Sequence, residues 1–576
     1  MRLKTAMTLS AAAHRRFQDE SGAHSTSTLD AVPSAEPSAS AADCRERGDD
    51  ESAQFCDGSE LCDDSESPGL FCNHHVATPT DVPPHVWRIH GRDYDLTSFV
   101  DEHPGGALFI LMGKGLDCTH FFEFYHCFSV PRKRLRQYDV TPDGCKPAVP
   151  ECGSEFMADV RAMVREHFGA SSCSHGRHKA GAAQLALLFS LWAAELPALY
   201  WWLFAPGGSV AAGVLAATIN WLLMANLMHD GCHAALSTRP WLNHVGHFLG
   251  SAPFGCGMGG WWLQHVISHH PNINQLELDY DAHHMPWTRW HKDVRPERHH
   301  NKAGVTQLVF HVVAYVISTF WMVFLEVFGY ILYPYFGPRF FGLDDLRDKP
   351  TPEPRHTLDG GAYDGQYPRL AGNFGRQGVL GYWRWVLWGN VACFVLAAAL
   401  TVAPPVLQVW WAVAALDADA PPLQLVSAVG GALVRGVVLA LAPHVTASLF
   451  FMFITQVSHI QEACQSDAVL NEPCPFKRQA QTSLDYSPSN TLVWFITGGL
   501  NLQSIHHLLP SVSCVHYPAM YPKFLAICEK HGCLPDRADG FAHALAKHWS
   551  YVYRLGKGDA VPWPEGLHNT RPLGLQ

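Results

Sequence analysis

HDGCH (229–233), QHVISHH (264–270) and QSIHH (503–507) are three short strings that concentrate histidine at widely separated places in the chain. Each string lies beside a long apolar run. Imidazole is a common ligand of transition metals, and its chemistry alone suits zinc, copper, nickel or iron. The three strings therefore predict one metal site at the edge of a membrane.

The spacing inside each string fits one face of a helix. Residues three or four positions apart project from the same side of an α-helix, and in the second string His265 and His269 share such a face with His270 adjacent. The polar residues at these spacings are His229, His233, His265, His269, His270, Gln503, His506 and His507. Seven histidines without a thiolate suggest an all-imidazole site.

The composition is that of a membrane protein. The chain has 576 residues, of which 48% are hydrophobic and only 16% are charged, and this apolar content is high for a soluble multidomain enzyme. The formal net charge is −11, but residues 41–66 hold ten acids against Arg45 and Arg47, which leaves −8 in this segment alone. The acidity is therefore local, and no nucleic-acid partner is expected.

The chain divides into five predicted parts. The N-terminal residues are rich in Ser, Ala, Asp and Glu and lack periodic apolar positions, as in disordered chains. The strand-like strings VWRI and YDL flank the turn residues His90 and Gly91, which indicates a small α+β unit. The parts are a disordered acidic tail at 1–80, the α+β unit at 81–150, a linker at 151–180, an all-α membrane domain at 181–556 and a tail at 557–576.

Long apolar runs fill the membrane domain. Residues 184–205 and 209–228 are each long enough to cross a hydrocarbon core of about 30 Å, and only Pro206-Gly207-Gly208 separates them. This pattern predicts a transmembrane hairpin. Further candidates are 310–333, 379–403 and 426–455, with 405–416 too short to cross alone.

A topological condition limits the number of crossings. All three strings must lie on one side to build one site, so the crossings between the second and third strings must be even in number. We expect 310–333 to lie in the interface or to re-enter, leaving 379–403 and 426–455 as the second crossing pair. In the alternative, 405–416 extends into a fourth crossing. The prediction is about four transmembrane helices with additional interfacial helices.

The α+β unit carries the string WRIHGRDYDLTSFVDEHPGGALFILMGKGLDCTHFFEFYHCFS at 87–129. It resembles cytochrome b5 through Trp87, Tyr94-Asp95-Leu96-Thr97, His103-Pro104-Gly105-Gly106 and Asp117-x-Thr119 followed by Phe122-x3-His126. The resemblance implies haem b with His103 and His126 as ligands from opposite faces of the ring, with His120 as a rival for the second position. The apolar residues that can line the haem pocket are Leu108, Phe109, Leu111, Phe121, Phe122 and Phe124.

The three histidine strings in their context resemble the membrane fatty acid desaturases of the front-end type fused to cytochrome b5. The matching stretches are HDGCHAALS, WWLQHVISHHPNIN followed by DYD, and GGLNLQSIHHLLPSVSCVHYP. Gln503 takes the place that other desaturases give to the first histidine of the third box. The resemblance covers about residues 83–150 and 180–525.

This resemblance implies two non-haem iron ions. The implied ligands are His229, His233, His265, His269, His270, Gln503, His506, His507 and, in the string ITQVSHIQEAC, His459. No catalytic residue is expected apart from these ligands. Two departures from the family pattern concern hydrogen bonding around the metal. No acid precedes His506, and the string PNIN lacks the threonine that more usually stands before Asn274.

The implied activity is O2-dependent insertion of a cis double bond into a polyunsaturated acyl chain, between an existing double bond and the carboxyl end. Reduction of O2 to water needs four electrons, of which the substrate gives two. A fused haem domain supplies the others one at a time at a high effective concentration. The implied partners are a fatty acyl lipid or acyl-CoA, O2, the membrane and an NADH-cytochrome b5 reductase.

Other functions fit the same residues. A sphingolipid long-chain-base desaturase or a lipid hydroxylase can use the same scaffold, although the Gln503 form of the third string argues against simple hydroxylases. A non-enzyme alternative is a membrane-anchored haem electron carrier, which needs neither clustered histidines nor several apolar runs. The position of the new double bond, the chain length and the acyl carrier are not determined by the sequence.

The expected location is the endoplasmic reticulum, with the haem domain and the histidine strings on the cytosolic side. The 17 cysteines are scattered without a CxxC pair, which fits reduced thiols facing the cytosol. A plastid is the alternative, because the first sixteen residues carry Arg2, Lys4, Arg15 and Arg16 without an acid, as in transit peptides.

Overall fold

The structure is a computed structural model, and it describes residues 82–142, 154–169, 176–292, 304–326 and 379–557. Short gaps in these ranges fall at 84, 116, 206, 256, 276–278, 280 and 282–287. The predicted tail at 1–80 and all but the first residue of the tail at 557–576 lie outside the described residues.

Residues 82–142 form the N-terminal unit, which has the predicted α+β character. Its elements are β1 (Trp87–Ile89), β2 (Arg92–Tyr94), α1 (Ala107–Met112), α2 (Thr119–Tyr125) and α3 (Arg132–Leu135), with 3-10 turns at Thr97–Phe99 and Arg136–Tyr138. The strands pair antiparallel, and His90 and Gly91 turn the chain between them at φ of 49° and 72°. The turn lies where the sequence predicts it.

The predicted linker contains a buried helix, α4 (Ser154–Phe168). Its buried apolar side chains recur at helical spacing and are Phe156, Met157, Val160, Met163, Val164 and Phe168. They pack between Phe124 and Phe128 of the N-terminal unit and the residues that follow the third histidine string. The polar residues between these positions conceal the pattern, because only one side of α4 is apolar.

A buried ion pair joins α4 to the N-terminal unit. Arg161 donates to the carboxylate of Glu123 and, at 3.0 Å, to its backbone carbonyl. His90 Nε2 lies 2.7 Å from the second carboxylate oxygen. Burial alone raises the pKa of Glu123, but His90 and Arg161 outweigh this effect and lower that pKa to about 2.

Among the described residues, four helical segments are long and apolar enough to cross a membrane, as predicted. They are Ala182–Phe204, Val210–Cys232, Val391–Ala414 and Pro422–Thr455. Two of them lie between the second and third histidine strings, which satisfies the condition that the strings share one side. In chain order the helices are α5 (Ala182–Phe204), α6 (Val210–Leu223), α7 (His229–Cys232), α8 (Pro240–Ser251), α9 (Met258–Trp261), α10 (His270–Asn272), α11 (Gly304–Glu326), α12 (Val379–Ala414) and α13 (Pro422–Thr455).

The segment 405–416 does not form a separate crossing. It continues the helix of 379–403 as one element, α12, which runs through Pro404 and Pro405. Proline lacks the backbone N–H and usually ends a helix, which is why the sequence suggests a break at this point. Membrane helices tolerate proline where neighbouring helices compensate, and α12 packs against α13 along its length.

Helix α11 covers the start of the ambiguous candidate 310–333. It packs between α13 and the C-terminal helix, and Thr319 Oγ1 lies 2.7 Å from Ser448 Oγ of α13. Val305, Val309 and Val312 on its other side are exposed. Residues 327–333 lie outside the described part, so the interfacial or re-entrant placement of this segment stays a prediction.

The remaining chain folds over the ends of the membrane helices. Its elements are α14 (Asp467–Leu470), α15 (Pro475–Gln481), β3 (Leu484–Tyr486), α16 (Thr491–Thr497), α17 (Gln503–Leu508), α18 (Tyr517–Lys530), β4 (Asp536–Ala538) and α19 (Phe541–Lys557), with 3-10 turns at Ala463–Gln465, Leu500–Leu502 and Cys514–His516. Strands β3 and β4 pair in parallel. Asp485 of β3 accepts hydrogen bonds from Ser504 N at 3.0 Å and Tyr521 Oη at 2.8 Å, which holds α17 in place.

Replacement of Glu123 tests the ion pair between α2 and α4. We expect Glu123→Gln to lower the free energy of local opening of these helices by about 3 kcal/mol, because a buried guanidinium loses its counter-charge. Hydrogen exchange of the full chain measures this opening. Because the pKa of Glu123 lies below its usual 4.5, its contribution is complete above about pH 4.5 and decreases toward about pH 2.

Glu102→Gln is the matched control in the same unit. Glu102 is exposed and pairs with Arg134 at 3.2 Å, so its replacement changes the free energy of opening by less than about 1 kcal/mol. Equal effects of the two substitutions would contradict a structural role for Glu123.

Candidate metal centre

Wide helical turns lead into the first two histidine strings. Met224–Met228 form a π-helix that runs into α7, and Trp262–His269 form a second π-helix between α9 and α10. Hydrogen bonds in a π-helix join residues i and i+5, so His265 shares a face with His270. His265 and His269 also share a face, as predicted, and their ring centroids lie 5.6 Å apart.

Five buried imidazoles converge where these segments end. His229, His233, His265, His270 and His506 place their ligand nitrogens within 4.8 Å of one another. The Nε2–Nε2 distances are 3.0 Å for His229 and His265, 3.2 Å for His265 and His270, and 3.0 Å for His270 and His506. His233 Nε2 is buried without a hydrogen-bond partner among the described residues. We call these five residues the first group.

His269, His459 and His507 form the second group, and their ligand nitrogens also lie within 4.8 Å of one another. The Nε2 atoms of His459 and His507 are 3.2 Å apart. The Gln503 amide nitrogen lies 2.9 Å from His459 Nε2 and 3.2 Å from His507 Nε2. Rotation of the Gln503 amide exchanges the positions of its nitrogen and oxygen. The oxygen, a possible ligand atom, then faces the Nε2 atoms of His459 and His507.

The arrangement of nitrogens fits two metal ions. Burial lowers the pKa of His265, His270, His506 and His507 far below the usual value of imidazole. These rings are therefore neutral, and a neutral imidazole has one N–H and one lone pair. Lone pairs of several Nε2 atoms that face each other at about 3 Å repel one another, and a bound cation converts this repulsion into coordination.

Hydrogen bonds on the outer side of the rings hold the candidate ligands in place. The Nδ1 neighbours are the Tyr125 hydroxyl for His233 at 2.8 Å, the Asp279 carboxylate for His269 at 3.0 Å, the Thr482 carbonyl for His459 at 3.2 Å, the Tyr517 hydroxyl for His506 at 3.2 Å and the Gln479 amide for His507 at 3.2 Å. Partners of this kind fix the orientation and the tautomer of metal-binding histidine.

Asp279 and Asn274 form the hydrogen bonds around His269 and His459 that the departure of the string PNIN from the family pattern had put in question. Burial opposes a charge on His269, but Asp279 and Asp281 raise the pKa of His269 to about 9. The Asp279 carboxylate also accepts from Asn274 N at 2.8 Å, and Asn274 Nδ2 donates to the His459 carbonyl at 3.2 Å. The sequence DYD at 279–281 belongs to the stretch that carries the resemblance, yet its link to His269 was not predicted.

His103 and His126 face each other in the N-terminal unit. Their ring centroids are 6.4 Å apart, which accommodates one ion with bonds of roughly 2 Å to a nitrogen of each ring. His103 Nδ1 donates to the Gly106 carbonyl at 3.1 Å and His126 Nδ1 to the Phe122 carbonyl at 2.7 Å. Both Nε2 lone pairs therefore remain available. Burial lowers the pKa of both rings, that of His126 to about 4.

Comparison with known proteins identifies the larger part of the chain. Residues 199–536, more than half of the sequence, match the family model "Fatty acid desaturase". The chain belongs to the fatty acid desaturase family. Residues 79–141 match the model "Cytochrome b5-like Heme/Steroid binding domain". The expected fold class, a cytochrome b5-like domain followed by a helical membrane domain, is confirmed.

Curated relatives of this desaturase extend over most of its length. The "Acyl-lipid omega-13 desaturase" of Chlamydomonas reinhardtii is 29% identical over 83% of this chain and 94% of its own. The "Probable Delta(5) fatty acid desaturase C" of Dictyostelium discoideum is 24% identical over 85% and 96%. The "Acyl-lipid (8-3)-desaturase" of Mortierella alpina is 24% identical over 81% and 93%. The prediction of an oxidoreductase of the desaturase class is confirmed.

The structure brings together every residue that the sequence predicts as a ligand, and it divides them into two groups. The outer partners do not follow from the sequence. Tyr125 and Tyr517 lie in stretches that carry the two resemblances, but their spacing links neither of them to a histidine, and Gln479 lies outside these stretches. Tyr125 lies 108 positions before its partner His233, so their contact exists only in the folded chain. The assignment of all these residues as ligands stays a prediction, which the following substitutions test.

Replacement of His126 and His120 decides between the two candidates for the second haem ligand. We expect His126→Ala to lose the six-coordinate haem absorbance spectrum, because His126 faces His103. We expect His120→Ala to retain it, because the His120 ring packs on Phe124 and Phe476 instead. Absorbance spectroscopy of the purified desaturase measures both, and the opposite pair of results would assign the ligand to His120.

Two substitutions of Gln503 test its place in the second group. Leucine has a similar volume to glutamine but no ligand atom. Loss of an outer partner lowers activity about tenfold, and we expect Gln503→Leu to lower the desaturation rate by more than this. Gln503→His restores an imidazole and should retain non-haem iron. Iron analysis and product analysis measure the two effects. A wild-type iron content and rate in Gln503→Leu would show that Gln503 binds no metal.

Proposed function

We propose that this desaturase catalyses O2-dependent front-end desaturation of a polyunsaturated acyl chain carried by a membrane lipid. The new cis double bond lies between an existing double bond and the carboxyl end. The observation that carries the proposal is the convergence of eight buried imidazoles and Gln503 in two adjacent groups. Their proposed role is to bind two iron ions.

An apolar cavity adjoins both groups of histidines. Its walls include Trp221, Met224, Trp261, Phe451 and Leu500, and His229, His265, His269 and His459 border it. Trp221 and Phe451 belong to α6 and α13, two of the four segments that are apolar enough to cross a membrane. The cavity has a volume of about 30 Å³, so we propose that an acyl chain approaches the histidines from between these helices and that the lining side chains move to admit it.

The reaction needs an oxidant because an unactivated methylene has no acidic proton. Two iron ions held by these residues would supply O2 activation. The surrounding side chains exclude water: Trp221, Met224 and Trp261 are buried and apolar. The outer hydrogen bonds hold the rings in position, so that binding of the metal requires little rearrangement.

Electrons reach the site through the cytochrome b5-like domain, in which we propose that His103 and His126 hold haem b. The proposed donor to this haem is an NADH-dependent flavoprotein reductase. Tethering in one chain keeps the haem at a high effective concentration next to the desaturase domain.

The names of two relatives support a lipid-linked substrate. The relatives of Chlamydomonas reinhardtii and Mortierella alpina described above are named acyl-lipid desaturases, which favours a lipid over acyl-CoA as the carrier here. We place the desaturase in the endoplasmic reticulum, with both cofactor sites on the cytosolic side.

Expression in a host without polyunsaturated products tests the function. Several fatty acids are supplied, and gas chromatography of the lipids is expected to show a new double bond on the carboxyl side of an existing one. The purified protein is expected to hold about two non-haem irons per chain, as an imidazole site of this kind allows. Hydroxylated or sphingoid products, or protein without non-haem iron, would overturn the proposal.

A matched pair of histidine substitutions accompanies this test. His270→Ala removes a member of the first group and is expected to abolish the product while haem absorbance persists. His543→Ala changes an exposed histidine of α19 that pairs with Asp539 at 3.5 Å, and product formation is expected to persist. Product loss in both variants would indicate general damage to the protein rather than loss of a ligand.

A further inference from the structure

Tyr125 connects the two cofactor sites of the desaturase. It is the last residue of α2 and directly precedes His126, which faces His103. On the other side, its hydroxyl oxygen lies 2.8 Å from Nδ1 of His233, a member of the first group. The Tyr125 and His233 ring centroids are 6.3 Å apart. Tyr125 is thus linked to one site through its side chain and to the other through the peptide bond to His126.

The hydrogen bond has a defined direction. His233 Nε2 is buried and has no partner among the described residues, so its lone pair points into the first group. Nδ1 then carries the proton and donates it to the Tyr125 hydroxyl. Tyr125 therefore fixes the tautomer in which His233 is able to bind a metal.

Packing around Tyr125 holds the N-terminal unit against the membrane domain. The Phe109 ring lies 5.9 Å from the Tyr125 ring and 6.3 Å from the Trp262 ring. Trp262 is fully buried, and its Nε1 donates to the Cys232 carbonyl at 2.9 Å. Ser511 Oγ donates to the Tyr125 carbonyl at 3.4 Å. The contact therefore belongs to a packed interface.

A close backbone approach supports the same interface. Gly106, in the turn after His103, has φ of 95°, and a Cβ atom at this position would lie 3.0 Å from Pro240 Cβ. Glycine permits both the positive φ and the approach. The edge of the N-terminal unit near His103 is thus seated on α8 of the membrane domain.

We propose that Tyr125 is the contact through which electrons pass from the haem to the non-haem iron site. The inference rests on the proposed function. With both cofactors bound, each transfer would oxidise one ferrous haem held by His103 and His126 and would reduce one ferric iron of the histidine site. No bond is made or broken at Tyr125, and its phenol keeps its proton. The reductase restores the ferrous haem, and two transfers supply the two electrons that the substrate does not give.

Tyr125→Phe is the decisive variant in the full-length holoenzyme. It keeps the ring and removes only the hydroxyl. Tyr138→Phe is the matched control, because Tyr138 lies in the same unit and its ring stacks on Phe99 at 5.6 Å. Reduction of the haem by NADH and a cytochrome b5 reductase is followed without oxygen. This step is expected to match the wild type in both variants, which verifies that the N-terminal unit is folded.

The informative measurement is the rate at which the reduced haem is reoxidised by the iron site in stopped flow. All samples are compared at equal non-haem iron content, because loss of an outer partner also weakens metal binding. We expect Tyr125→Phe to slow haem reoxidation by about tenfold, the lower end of the effect of such partners. Tyr138→Phe is expected to leave it unchanged, as is the haem midpoint potential in both variants.

Haem reoxidation at the wild-type rate in Tyr125→Phe would overturn the inference. A shift of the haem potential that accounts for the slower rate would overturn it as well. Failure of the proposed function has a different signature, since wild-type protein would then hold no non-haem iron and form no unsaturated product.

Discussion

Buried lone pairs that face one another are the constraint on which the rest of the structure depends. The Nε2 atoms of the first group approach to about 3 Å, and neutral imidazoles hold such an arrangement only when the surroundings fix each ring. Outer partners such as Tyr125 and Tyr517 provide this restraint. The fold therefore has to assemble a polar shell inside an otherwise apolar region, and each unsatisfied group there is costly.

Local patterns account for what the sequence predicts correctly. The histidine strings, the hairpin around Pro206 and the HPGG string each carry their signal within a few residues, so the fold class and the candidate ligands follow from the chain alone. The π-helix at Trp262–His269 does not follow, because its hydrogen bonds depend on packing at the site. The continuity of α12 through two prolines depends on α13, which lies elsewhere in the sequence.

The interface between the two domains is the part of the structure that the sequence predicts least well. Helix α4 looks like a polar linker because only one side of it is apolar, and the residues that cover this side lie far away in the sequence. Tyr125 looks like one aromatic among several in the string FFEFYHCF. Only the folded chain places it next to both His126 and His233, and the N-terminal unit thereby contributes a hydrogen bond to the candidate metal centre.

Helix α4 also imposes an order on folding. Asp159 of α4 accepts hydrogen bonds at 2.7 Å from Lys530 and from His531, which follow it by 371 and 372 residues. The N-terminal unit leaves the ribosome long before these partners exist, and such distant contacts form late. The contacts of α4 with Lys530 and His531 are thus completed only after nearly all of the chain has been synthesised. The last part of the chain therefore completes the interface that its first domain begins.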